Sequence, residues 1–402
     1  MVSQVRKRLR LLPKSLKLSL AVIGTGIASG FVGIFCHYLL DFIQVLAFGK
    51  DKGNLLLQFQ SVSAFRRFSV LLVVGILSSL FWYFLQRRVT LLSISKAKKL
   101  VGERSPNFLG QSLHALVQVA IVAAGASIGK EGAPRELGAL FGGSLSKELL
   151  LDISDRQLLI ACGAGAGLAS VYQVPFASAL FVLETLGVSW KLKNIIIILA
   201  TTYVSAYCAK PIVGGHALYI VDKVTIDSSC FIQAIILALF VTPFAIIFGY
   251  FAKKASSHRI TGKEILWTLP FAFLILGGLS AYLPIFMGNG QVLAQWIFSG
   301  NSSAYLPVTL IIKCLLVCLL LRSGAYGGTL TPSFAIGVGT GYLITVLLRN
   351  FEFSHSLSLG MLLGTTLDPP NRNSLGCWFY RYRRSYRIPT YTSKYPIKDN
   401  KQ

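Results

Sequence analysis

The sequence predicts an all-α, polytopic membrane protein whose helices are interrupted at membrane depth. Three observations predict it. Only 13% of the residues are charged while 53% are hydrophobic, and mean hydropathy is +0.63; soluble domains carry roughly a quarter charged residues. Long apolar runs recur from end to end. Two Gly-rich, Pro-ended segments follow such runs at corresponding places in two halves of the chain.

The runs are 18–40, 68–85, 109–128, 158–186, 195–209, 231–252, 265–286, 307–321 and 333–348. A bilayer-crossing helix needs about 20 mostly apolar residues. The runs do not alternate polar and apolar positions, which argues for helices over barrel strands. Pro243, Pro270 and the stretch around Pro175 fall inside them. Membrane helices tolerate such breaks where neighbours or a cavity satisfy the freed backbone groups.

The formal net charge is +24. The basic residues lie between the apolar runs, which favours membrane topology over nucleic-acid binding. Arg6, Lys7, Arg8, Arg10, Lys14 and Lys17 precede the first run, so the positive-inside rule predicts a cytoplasmic N-terminal segment, 1–17. The same residues resemble the start of a signal peptide, but the run after them is too long and no small-residue cleavage site is evident. None of the seven cysteines has C-x-x-C spacing or a nearby histidine at ligand spacing, so no metal and no cofactor are predicted. Cys314 and Cys318 share a helix face and read as small packing residues.

The first chemically informative segment is 126–138, ASIGKEGAPRELG. Lys130, Glu131, Arg135 and Glu136 fall within it, between apolar stretches. Ionisable groups at membrane depth are costly and point to function. Gly132 and Pro134 read as a break and a new helix start, since Pro suits a first helical turn and Gly permits close approach of backbone to ligand. Such a start directs free N–H groups and a positive dipole end at an anion. An ordinary solvated loop is the alternative reading of the same residues.

The second segment, 323–332, repeats that logic: glycines, then Pro332, then an apolar helix. Interrupted helices meeting between two repeats form the binding site of many transporters. Two further stretches support a repeat. Residues 163–176 are rich in small residues suited to close helix packing. Residues 359–369 begin similarly and do not continue so.

Gly129-Lys130-Glu131-Gly132 with Pro134 resembles the G-(R/K)-E-G-P signature of the chloride channel (CLC) family. Gly327-Gly328-Thr329-Leu330-Thr331-Pro332 resembles its G-x-F-x-P signature, and 163–184 resembles its small-residue helix with the glutamate-ended helix that follows. The order and spacing agree over roughly 18–368. The resemblance implies two inverted repeats, 18–210 and an incomplete 211–368. It also implies a homodimer in the bilayer with a separate path for chloride or another small anion in each subunit. Glu131 would be the gate, its carboxylate competing with the anion and swinging away when protonated. Apolar surroundings favour a neutral carboxyl, while helix N-termini favour an anion. The amides of Gly132, Thr329 and Leu330 would line the path, and Lys130 would add positive potential.

The chain departs from the family pattern in several places. The early G-S-G-I-P motif falls at Leu91-Leu92-Ser93-Ile94-Ser95, with Ser93 a loose substitute for the inner serine ligand. Proline comes one residue late in the first signature, and Leu330 replaces Phe in the second. Thr185 occupies the position of the exchangers' proton-transfer glutamate, and its hydroxyl cannot carry a proton by titration. Channel and proton-coupled exchanger both remain open. Other classes considered are a transporter of another anion such as fluoride, and an intramembrane enzyme using Glu131 and Glu136 as paired carboxylates. The enzyme reading lacks a nucleophile–base pair or a histidine cluster.

From Pro369 the character changes. Residues 369–402 hold five Arg, three Lys and one Asp, with aromatics among them. Residues 370–377 can be encoded so that a one-base shift reads Leu-Thr-Ala-Ile-Ala-Leu-Val, an apolar helix of the kind the family resemblance calls for. A shifted reading frame after Asp368 is therefore expected, with loss of a later tyrosine ligand and weak or absent transport. A basic, aromatic tail on an anionic membrane surface is the alternative. A multi-pass protein of a bacterial inner membrane is the predicted setting.

Overall fold

The computed structural model describes residues 11–49, 55–214, 219, 228–299 and 304–347, with the side chains of 228–236 and 345 left aside. The stretches 1–10 and 348–402, and with them most of the basic N-terminal segment, residues 359–369 and the tail, lie outside the described residues.

Fourteen α-helices follow in order among the described residues. They are α1 (Lys14–Phe48), α2 (Leu55–Gln60), α3 (Ala64–Arg88), α4 (Ile94–Lys99), α5 (Phe108–Ala123), α6 (Gly132–Glu148) and α7 (Ile153–Tyr172). The series continues with α8 (Pro175–Glu184), α9 (Leu192–Val213), α10 (Ser228–Ser257), α11 (Ile265–Tyr282), α12 (Gln291–Phe298), α13 (Leu306–Arg322) and α14 (Leu330–Leu347). A single 3₁₀ turn, Pro284–Phe286, joins α11 to α12. The described residues contain no β-strand, only an isolated antiparallel bridge between Gly129 and Gly328.

Five helices are long and apolar enough to cross a membrane: Lys14–Phe48, Ala64–Arg88, Leu192–Val213, Leu237–Ser257 and Ile265–Tyr282. Their outer faces carry large exposed apolar side chains, among them Phe42, Leu77, Phe240 and Trp267. Apolar surface this extensive is stable only against lipid or protein.

The other apolar runs are shorter helices than their lengths imply. Run 158–186 is two helices, because Gln173 caps α7 in the left-handed region (φ 55°) and Pro175 opens α8. Run 109–128 stops as a helix at Ala123, and Gly125 (φ 99°) turns the chain toward the Gly129 loop.

Small residues set the packing around α6. A Cβ on Gly138 would lie 2.1 Å from the Gly163 carbonyl oxygen, and one on Gly167 would lie 2.0 Å from that of Pro134. Backbones of α6 and α7 thus touch along a seam only glycine permits. Buried cations tie other elements together. Arg67 donates to the carbonyls of Ser280 (2.9 Å), Ala281 (2.7 Å), Val62 (2.6 Å) and Phe59 (3.1 Å). Lys313 Nζ, fully buried, donates to the carbonyls of Phe286 (3.0 Å) and Gly288 (2.8 Å). These contacts hold the loop ahead of α12 against α13.

Candidate functional site

Each of the two interrupted helices begins at the end of a Gly-rich loop. The loop before α6 carries Gly129, and the loop before α14 carries Gly327 and Gly328. The loops pair: Gly129 N–H donates to Gly328 O (2.7 Å), and Gly328 N–H donates to Gly129 O (2.9 Å). This bridge sets the two helix starts side by side, and a Cβ on Gly132 would lie 3.4 Å from the Gly328 nitrogen. The α6 start comes from one half of the chain and the α14 start from the other.

Glu131 is the residue that caps α6, yet its side chain makes no capping bond to its own helix. It crosses to the other helix start. Leu330 N–H donates to Glu131 Oε1 at 2.5 Å and Thr331 N–H at 3.4 Å. The Thr331 hydroxyl donates to Oε2 at 3.1 Å, and the Tyr172 hydroxyl lies 3.5 Å from Oε2 and 3.0 Å from Thr331 Oγ1. The carboxylate is fully buried. A Cβ on either Gly129 or Gly328 would come within 2.2 Å of its Oε1. Glycine at both positions therefore makes the cradle.

The chemistry of the cradle is that of an anion site. Free N–H groups of an α-helix start, with the helix dipole behind them, favour negative charge by about 0.3–1 kcal/mol at exposed positions and more when partly buried. Here those N–H groups are met by the Glu131 carboxylate.

The sequence-predicted residues are distributed unevenly around it. Leu330 touches the carboxylate directly, and Gly132 and Thr329 belong to the two adjoining helix starts. The Lys130 ammonium lies over the Tyr172 ring, 5.8 Å from its centroid, rather than on the carboxylate. Ser93 is exposed and caps α4, its Oγ accepting from Lys96 N–H at 3.4 Å. Its loop is tied elsewhere: Leu92 N–H donates to Gln111 Oε1 (3.1 Å), and Gln111 Nε2 donates to Glu136 Oε2 (3.0 Å). Thr185 caps the end of α8 and faces a cavity of about 400 Å³ shared with Arg135, Lys253, Ser256, Thr329 and Ser333.

Glu136 does not share Glu131's surroundings. It accepts from Gln111 and lies 3.6 Å from His114 Nε2. The two carboxylates have separate partners, which removes the geometric basis for paired acid–base work.

Two contacts were not read from the sequence. Thr331 stands inside the second motif, where Gly and Pro carry the sequence signal and a hydroxyl carries none. Tyr172 lies in the small-residue stretch, at the last position of α7. A polar tip closing a run of Gly and Ala was the available signal.

A family model described as voltage gated chloride channel matches residues 74–366. The voltage-gated ClC-type chloride channel ClcB of Citrobacter koseri is 27% identical over 334 residues, covering 81% of this chain and 80% of that protein. The protein of the same name from Escherichia coli O17:K52:H18 is 26% identical over 366 residues, covering 87% and 85%. Among solved structures, a slow cyanobacterial Cl⁻/H⁺ antiporter superposes with TM-score 0.70 at 19% identity, covering 89% of each chain. A CLC-type fluoride/proton antiporter superposes with TM-score 0.67 at 21% identity, covering 87% of this chain and 84% of that one. With the paired helix starts and the two signature loops, the match over most of the chain makes this multi-pass membrane protein a member of the voltage gated chloride channel family.

Proposed function

We propose that this chain moves chloride or a similar small anion across a membrane, with Glu131 as the gate. The observation that carries the reading is the Glu131 carboxylate resting on the Leu330 and Thr331 amides of a helix from the other half of the chain. An ionised carboxylate there excludes a competing anion. Protonation removes its charge and its claim on the amides, and an anion can then enter. Lys130, Gly132, Thr329 and Leu330 border the path, and Ser93 stays outside it. Thr185 cannot titrate, so any proton coupling runs through other groups or water. The functional unit is a homodimer in a bacterial inner membrane, each subunit with its own path.

The segment after Asp368 belongs to a shifted reading frame, a proposal supported by its abrupt change in composition and by a family match that stops at residue 366. DNA sequence around the codons for 368–372 tests it: a single-base change must restore an apolar helix.

Transport is tested by chloride efflux from proteoliposomes. The chain with its frame restored releases chloride in a pH-dependent manner, and the chain as it stands releases little or none. Absence of chloride release from the restored chain contradicts the reading. Fluoride is the second substrate to try, since one structural neighbour is named a fluoride/proton antiporter; competition between the two halides ranks them.

A further inference from the structure

Four donors converge on the Glu131 carboxylate: the N–H groups of Leu330 and Thr331 and the hydroxyls of Thr331 and Tyr172. Two amides alone make a generic anion-binding helix start. Two hydroxyls from different halves of the chain, one on α7 and one on α14, make a built cage. We propose that Thr331 and Tyr172 are the hydroxyl ligands of the transported anion, taking over from the carboxylate oxygens once Glu131 leaves. The proposal rests on the reading that Glu131 occupies an anion site.

Several features support it. The two hydroxyls lie 3.0 Å apart and face the same carboxylate oxygen, Thr331 at 3.1 Å and Tyr172 at 3.5 Å. Their positions are fixed by the backbone. Tyr172 is the last residue of α7, whose glycine seam presses it onto α6, and Thr331 lies in the first turn of α14. The Lys130 ammonium over the Tyr172 ring, 5.8 Å from its centroid, adds positive potential beside this residue. Ser93, the hydroxyl that the family pattern nominates, is exposed and engaged with its own helix.

The experiment measures chloride affinity by titration calorimetry on the full chain in detergent. A Glu131→Ala background empties the cradle. Hydrogen bonds to charged groups carry more than neutral ones, so adding Tyr172→Phe or Thr331→Val weakens chloride binding by about tenfold each. Thr331→Ser keeps the hydroxyl and keeps the affinity. Tyr172→Phe preserves shape, and an unchanged melting temperature shows that the loss is not unfolding. Unchanged affinity in both hydroxyl variants overturns the proposal while leaving the anion site itself intact. Equal losses in Thr331→Ser and Thr331→Val overturn the assignment of Thr331. No chloride binding by the Glu131→Ala chain removes both the anion-site reading and this proposal.

Discussion

Glu131 and Glu136 lie at the start of the same helix, and their surroundings differ in kind. Glu131 is bound by backbone amides of a different helix and by two hydroxyls, all of which an inorganic anion could accept from in its place. Glu136 is bound by side chains of α5. Gln111 donates to it, and His114 Nε2 faces it at 3.6 Å. Trp82 Nε1 donates to His114 Nδ1 at 3.1 Å, and an indole N–H is a donor only, so the neutral imidazole carries its proton on Nε2, toward Glu136. Tyr326 lies edge-on against the same imidazole, and Arg259 covers the Tyr326 ring at 3.9 Å. One carboxylate is held by backbone amides and hydroxyls across the two halves of the chain; the other is held by α5 side chains that are themselves tied to Leu92 and Trp82. Under the proposed function the two carboxylates have different roles, Glu131 exchangeable and Glu136 structural, and the identity of the donors separates them.

Replacing each carboxylate tests that separation. Glu131→Gln carries the largest effect: in the frame-restored chain, chloride efflux loses its pH dependence across the acidic range, because no ionised form remains to block the path. Efflux that still varies with pH as before contradicts the role. Next is Gly328→Ala, whose new methyl would meet Glu131 Oε1 at 2.2 Å. The carboxylate must leave its cradle or the loop must move, and strain of this kind costs about 1–3 kcal/mol. Calorimetric or fluorescence melting detects the loss of stability, and the pH response of efflux weakens with it. Glu136→Gln has the converse signature. It disturbs the clamp between α5 and α6 by about 1–3 kcal/mol, lowering the melting temperature, while pH-dependent efflux survives. If pH dependence disappears with Glu136→Gln, the two roles have been assigned the wrong way round.

The smallest effect belongs to the surface. Asp152 pairs with Lys14 at exposed positions, and the Lys14 hydrogen bond holds its carboxyl below the ordinary aspartate range. The sign follows from a depressed folded-state value. The contribution is present at neutral pH and fades as the solution is acidified through that lowered range. Exposed pairs contribute little, so Asp152→Asn leaves the melting temperature at pH 7 nearly unchanged.

Much of the site could be read from the residues because its chemistry is backbone chemistry. Gly132, Pro134, Gly328 and Pro332 announce helix starts through conformational rules that hold in any context, and Glu131 between apolar runs announces an expensive charge. The bridge between Gly129 and Gly328 was not legible, since pairing across 199 positions depends on how the two halves fold together. The hydroxyls of Thr331 and Tyr172 were missed for a related reason: which hydroxyl faces a carboxylate is decided by helix orientation, not by spacing along the chain. Ser93 is ambiguous for a different reason. A serine ahead of a short helix is as well explained by capping as by ligation, and here its Oγ accepts from Lys96 N–H. In the fold, apolar runs located the membrane segments. Their lengths did not, because Gln173 and Pro175 split one run and Gly125 ended another.

In the proposed function, the Leu330 and Thr331 amides are an anion site that Glu131 fills from the other half of the chain. Anomalous diffraction from crystals of the Glu131→Ala chain soaked in bromide tests this most directly. A bromide peak within hydrogen-bonding distance of those two amides is the expected result. A cradle without bromide, in crystals that carry the ion elsewhere, would contradict it.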